Sequence, residues 1–374
     1  MANMKATKSG NLYRVIVLIL IATVLICAVG FAADGWQKSP APDSGNTDEN
    51  NGDTDENKDG SKTGDTPTND PEEPVIYIPK FTDALTGLET SERLAKLRHI
   101  AFVTENTQYL YGMSSASVVF EFPYEGGGTR YLVYQSDPKK LGKIGALGMA
   151  RDYMTSLIRS FDAIPVAVGS DDPAEVKGTE GVGVLDLSRS DSFAYTENTV
   201  FHYTNGDLIS AALAASGIST VRTEASVLPY GFYDFGKEPT PSGKRASTVL
   251  LPYSESNETE LYYNAEAGTY CYSKCGSRKI DTLNGKNITF KNVFLLFADA
   301  TTYEKADGVT TVLDTESSGG GYYISGGALT EFTWKFTDGK MVFTGLDGNR
   351  LTVYRGNSYF SFFKSSMKKS VTIQ

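Results

Sequence analysis

The stretch Phe120–Gln135, FEFPYEGGGTRYLVYQ, decides how this chain folds. Val118, Phe120 and Phe122 alternate with smaller or polar residues before a glycine run, and Tyr131, Val133 and Gln135 continue the alternation after it. A period of two marks half-buried strands. Gly126, Gly127 and Gly128 open backbone angles closed to other residues, so the chain can turn sharply or approach a ligand closely. The stretch therefore predicts a β-hairpin. Its hinge holds Glu121, Glu125, Thr129 and Arg130, so it also reads as a pocket wall with opposed charges.

Working toward the N-terminus, the composition changes twice. Residues 34–74 contain 12 acidic and 3 basic side chains and almost no aliphatic ones, and they repeat TDEN at Thr47–Asn50 and Thr54–Asn57. Such a segment buries too little apolar surface to offset the entropy of ordering it, which predicts a disordered acidic linker. As a flexible chain its ends lie roughly 35 Å apart. The segment carries −9 and the first 14 residues carry +3, leaving −4 of the formal −10 for everything after Pro74. A nearly balanced body gives no electrostatic reason to expect nucleic acid as a partner. Asp55–Gly60 imitates half of a calcium loop, but its twelfth position is Thr66, so the tether reading prevails.

Val15–Ala33 is an almost unbroken apolar run, long enough to cross a bilayer core of ~30 Å. Lys5, Lys8 and Arg14 precede it and acidic residues follow, which keeps the N-terminus cytoplasmic and the bulk outside. A signal peptide ending near Gly30-Phe31-Ala32 competes with a retained single-pass anchor. The run exceeds a usual signal core, which favours the anchor.

From Val75 onward the composition is that of a folded body. Glu89–Leu97, Gly148–Phe161 and Asp207–Ser216 have helical spacing, the last ending at Gly217. Ile100–Glu105 and Ala163–Val168 read as strands. Beyond Gly236–Lys244, with its two prolines, nearly everything reads as short strands separated by turns such as Asp338-Gly339 and Asp347-Gly348. The expectation is an α+β chain: a mixed α/β domain over 77–235, then an antiparallel β-rich domain over 245–365. Both follow a cytoplasmic tail (1–14), a transmembrane helix or signal peptide (15–33) and a disordered linker (34–76).

Chemistry is sparse. His99 and His202 stand far apart, and no clustered His/Cys/carboxylate pattern predicts a metal or other cofactor. Cys271 and Cys275, outside the cytoplasm, predict a disulfide closing a tight loop. Ser361-x-x-Lys364 and Ser365-x-x-Lys368 match a penicillin-binding motif by chance, without the accompanying motifs in order. Glu121 and Glu125 are the remaining acid/base candidates. Four residues of extended strand span roughly 13 Å, whereas glycosidase carboxyls stand about 5–9.5 Å apart. Glu–Arg pairing at the hinge, with Arg130 or Arg151 meeting an anionic group, suits the pattern better.

Glu121–Arg130, followed by an apolar strand and by KIGALGMAR at Lys143–Arg151, resembles the core of the YerB-like lipoprotein family. FDAIPVAVGS at Phe161–Ser170 and WKFTDGK at Trp334–Lys340 follow in order, so the resemblance covers Leu85 to Phe363. It implies paired domains of unknown function (DUF) in a bacterial cell envelope. Cys27 lacks the small preceding residues of a lipidation site, having Val24-Leu25-Ile26 instead. Gly148 stands where the resemblance leads one to expect an arginine and Ala167 where it leads one to expect a histidine. A His-Asn-x-Tyr-Thr pattern has become Val200–Thr204. Glu105, Asn106, Glu121, Glu125, Thr129 and Arg130 are retained, and with Arg151 they form the expected ligand site. The resulting expectation is a membrane-anchored, extracytoplasmic, non-catalytic module binding peptidoglycan or an envelope protein. A cell-wall hydrolase or transferase using Glu121 or Glu125 is the alternative.

Overall fold

The computed structural model describes residues 76–169, 185–187, 192–197, 200–223, 228–305 and 308–374. The apolar run 15–33 and the linker 34–74 lie outside the described residues. Among the described residues no helix is long and apolar enough to cross a membrane.

The hairpin forms where the alternation demands. Val118–Pro123 runs antiparallel to Thr129–Gln135, with Phe120 opposite Leu132, Glu121 opposite Tyr131 and Phe122 opposite Arg130. Thr129–Gln135 pairs on its other side with Ile100–Glu105, setting Glu105 opposite Arg130. Val118–Pro123 has a second neighbour that sequence proximity could not reveal. The strand Ser358–Lys364 lies parallel to it, with Phe120 beside Phe360 and Glu121 beside Ser361. Asn292–Ala298 adds on in parallel, and Ser318–Ser325, Ala328–Thr337 and Lys340–Gly345 continue antiparallel to the edge. Strands from both halves of the chain thus share one 14-stranded sheet. A second, six-stranded antiparallel sheet is built around Thr248–Ser254, Asn257–Asn264 and Thr269–Lys274.

Period-two alternation sorts the side chains between two cores. Val119, Tyr131, Val133, Val293, Leu295 and Tyr359 face the second sheet, meeting Leu251, Leu261, Tyr270 and Tyr272. Phe120, Phe122, Phe294, Phe360 and Phe362 face the other way, onto Leu157, Ile158, Phe161 and Phe343. There Phe360 stacks between Phe120 and Phe294, with ring centroids 4.5 and 4.2 Å away.

The expected α+β class is corrected: the protein is mostly β. Only three short α-helices occur among the described residues, Glu92–Ala95, Thr155–Ser160 and Gly206–Ser216. The last matches its reading, capped by Asn205 and ended by Gly217 at φ 68°. The first stops after one turn because Leu97 bridges to Val221 and the Arg98 amide donates to the Thr220 carbonyl. In the second, Ala150 is instead drawn to Gly169, and a 3₁₀ turn at Asp152–Met154 delays the helix. Tertiary pairing overrides a weak helical preference in both.

Phe360→Ala would remove the ring at the centre of the stack. A loss of about 3–5 kcal/mol in denaturant unfolding is expected; a loss under 1 kcal/mol would show that the stack is not the core.

Candidate functional site

The hinge between the two central strands is stapled rather than loose. Gly126 and Gly127 take positive φ of 69° and 78°, and the Tyr124 amide donates to the Gly128 carbonyl. The Gly127 carbonyl accepts from Ser254 Oγ at 3.0 Å and Asn257 Nδ2 at 2.9 Å. A Cβ at Gly127 would fall 2.7 Å from that of Ser254, so the close approach itself requires glycine.

Alternation then sends the charged residues to opposite faces. Glu121, fully buried, points toward the second sheet and meets Lys274, whose Nζ lies 2.5 Å from Glu121 Oε1. Thr259 Oγ1 donates to the carboxylate at 3.0 Å, and the Tyr272 and Tyr359 hydroxyls reach Oε2 at 3.1 and 2.7 Å. Lys274 also donates to Thr259 and Thr129, and Asn106 Nδ2 donates to Thr129 Oγ1 at 2.9 Å. Burial alone would push the Glu121 carboxyl up. The Lys274 ammonium and the surrounding hydroxyls outweigh it and hold the group below the usual glutamate range. Each lone pair has a donor, which is what a buried charge requires.

The opposite face carries a second charged group. Arg130 forks onto Glu105 at 2.5 and 3.1 Å and donates to the Met149 carbonyl at 2.9 Å. Its guanidinium lies 4.0 Å from the Tyr124 ring centre, and that of Arg151 lies 4.9 Å away. Arg151 donates to Tyr124 OH at 2.8 Å and to Glu125 Oε2 at 3.1 Å. The other Glu125 oxygen accepts the Thr311 amide at 2.9 Å. Glu125 therefore ties the corner to the hairpin formed by Ala300–Lys305 and Gly308–Leu313. A Cβ at Gly148 would lie 2.6 Å from Glu105 Oε1 and 3.3 Å from Arg130 Nε, so glycine there leaves room for the Glu105–Arg130 fork.

Of the seven expected site residues, Glu105, Glu125, Arg130 and Arg151 converge. Glu121, Thr129 and Asn106 belong to the buried network on the other face. The structure adds Tyr124, Lys274, Thr259 and Thr311, which sequence reasoning did not single out. Lys274 carried a signal: Tyr270 and Tyr272 alternate toward the core, and the next inward position holds a charge. Glu121 follows Val119 inward in the same way.

The expected Cys271–Cys275 disulfide is corrected, since both thiols are free. Cys271 lies within the strand Thr269–Lys274, whose extended backbone separates positions four apart by roughly 13 Å, well beyond disulfide reach. Cys275, in the turn beyond, donates toward the Ser256 carbonyl at 3.4 Å. His99 sits buried with Nε2 3.0 Å from Asp83 Oδ2. Among the described residues no group of three His, Cys, Asp or Glu side chains is placed to hold a metal.

One sheet joined across the two halves of the chain by parallel strands, with a buried lysine–glutamate network between it and a second sheet, defines the class of protein. The chain belongs to the family described as "Protein of unknown function (DUF3048)": residues 85–219 match its N-terminal domain and 249–360 its C-terminal domain. It is 27% identical over 279 residues to "Putative lipoprotein YerB" of Bacillus subtilis (strain 168), covering 70% of this chain and 80% of that protein. The crystal structure of the YerB protein from Bacillus subtilis superimposes with a TM-score of 0.66 at 24% identity. It covers 79% of this chain and 100% of that one, a likeness of fold.

Two stability predictions follow from the buried groups. Glu121→Gln or Lys274→Met alone leaves an uncompensated partner and should cost about 3–5 kcal/mol in urea unfolding, while Glu121→Leu with Lys274→Met should cost distinctly less. Equal losses in single and double variants would contradict the pairing. Acid dependence follows from Asp83, whose carboxyl would be raised by burial but is brought by His99 and Thr86 from 3.8 to about 2. A folded-state value below the unfolded one means that stability is complete above about pH 4 and declines as pH falls toward 2, by about 2 kcal/mol. Asp83→Asn should flatten that part of a stability–pH curve, and an unchanged slope would remove Asp83 as its source.

Proposed function

We propose that this chain is a membrane-attached, extracytoplasmic binding protein without catalytic activity, holding a cell-wall component in the groove beside the charged corner. The apolar run 15–33, its flanking charges and the lipoprotein name of the Bacillus subtilis relative support the location. One observation carries the binding reading. An open groove of about 660 Å³ runs between the Ala300–Leu313 hairpin and the turn and helix over 152–160. Asp152, Thr155 and Arg159 line one wall, Thr301, Tyr303 and Val312 the other. The Tyr303 ring is half exposed, and a flat ring opposite hydroxyls, carboxylates and a guanidinium is the chemistry that recognises sugar rings.

The corner's role is to position that hairpin. Glu105 and Glu125 neutralise Arg130 and Arg151, and the remaining carboxylate oxygen of Glu125 holds Thr311. The acid/base alternative has little support: Glu121 is sealed from solvent and held ionised, and a general acid must reach its substrate in protonated form.

The test is co-sedimentation of the detergent-solubilised full chain with insoluble peptidoglycan. Wild type should sediment, and Tyr303→Ala or Arg159→Ala should each weaken retention about tenfold, some 1.4 kcal/mol. Retention unchanged in both variants would count against the groove. Release of soluble wall fragments by the wild-type chain would restore the hydrolase reading.

A further inference from the structure

Away from the groove, the segments 107–115 and 278–287 lie side by side, Leu110 bridging in parallel to Asp281. Asp281 is fully buried and collects four donors: the amides of Gly112, Ser114 and Leu283 and the Ser114 hydroxyl, at 2.8–3.0 Å. The platform is therefore rigid. Its outward side chains are nevertheless apolar, with Tyr109, Ile280 and Leu283 exposed by 53, 52 and 45%. Leu283 packs on the loop 136–143, since a Cβ at Gly142 would lie 2.7 Å from its Cδ2. The same loop carries the exposed Lys139 and Lys140, and the segment 278–287 carries the exposed Arg278 and Lys286.

Among the described residues none of these four exposed cations is ion-paired. The carboxylates in these segments are already engaged: Asp281 by its amides, Asp137 by Arg93, and Glu197 beyond them by Lys143. The two neighbouring segments thus present four cations outside any ion pair together with three exposed apolar side chains.

We propose that this platform docks on an anionic lipid surface. Lys139, Lys140, Arg278 and Lys286 would meet headgroup phosphates, and Tyr109, Ile280 and Leu283 would enter the interface. A soluble polyanion would account for the cations but leave the apolar side chains without purpose. The same chain carries the apolar run 15–33, long enough to cross a bilayer core of ~30 Å, which argues for a lipid occupant. This inference does not depend on the groove.

The test follows amide hydrogen exchange over 136–143 and 278–287 in the full-length chain. It compares phosphatidylcholine vesicles with vesicles containing about one-third phosphatidylglycerol. Exchange should slow several-fold on the anionic vesicles only. The triple variant Lys139→Glu, Lys140→Glu, Lys286→Glu should abolish that slowing while leaving Val118–Pro123 protected, which certifies its folding. Equal exchange on both vesicles overturns the proposal. Equal slowing by polyglycerol phosphate without vesicles overturns it too, assigning the patch to a soluble polyanion.

Discussion

A lysine and a glutamate sealed between two sheets constrain this protein more than any other contact. Glu121 comes from the central hairpin and Lys274 from a strand 153 residues later, yet they meet at 2.5 Å with hydroxyls filling the remaining positions. A buried pair of this kind contributes little net stability, because desolvating both charges offsets most of their attraction. Its stronger effect is on register. A slip of one residue in Val118–Pro123 would turn Glu121 into the stack of Phe120, Phe360 and Phe294, where no donor could meet it, and would turn the phenylalanines toward Lys274.

Because the pair occupies one face, the other charged residues are consigned to the opposite one. Arg130 lies next in sequence to Tyr131, which faces Glu121's side, so it must point away, where Glu105 and Tyr124 receive it. The corner that results is charge-balanced, two carboxylates against two guanidiniums. Charge compensation of this sort makes a rigid support, and Glu125 transmits that rigidity to the hairpin whose far face lines the groove. On the proposed reading, recognition and support are divided between neighbouring parts of the surface rather than combined in one pocket.

Much of this was legible in the residues. The hairpin, the turn-permitting glycines at its hinge, the helix read at Asp207–Ser216 with its glycine stop, and most C-terminal strands follow from local periodicity and turn chemistry. Inward-pointing charges at Glu121 and Lys274 break the apolar alternation, which announces a buried polar contact without naming the partner. The helices proposed at 89–97 and 148–161 misled because their apolar spacing satisfies a helix, while the backbone found strand-like or 3₁₀ partners at Thr220, Val221 and Gly169. The cysteine pair misled for a related reason. Proximity along a chain means separation in space once the backbone is extended.

What the amino-acid order determined by itself is local: which segments are extended, which way each side chain alternates and where the chain must turn. These depend on steric and solvation rules acting over a few residues. Only the tertiary structure decided that Ser358–Lys364 lies parallel to Val118–Pro123, that Lys274 answers Glu121, and that Arg151 reaches Tyr124 while Glu121 does not. Parallel pairing joins segments 240 residues apart, and no local pattern encodes which of many compatible strands will fill that place. The choice is made by the simultaneous satisfaction of two aromatic cores and one buried charge.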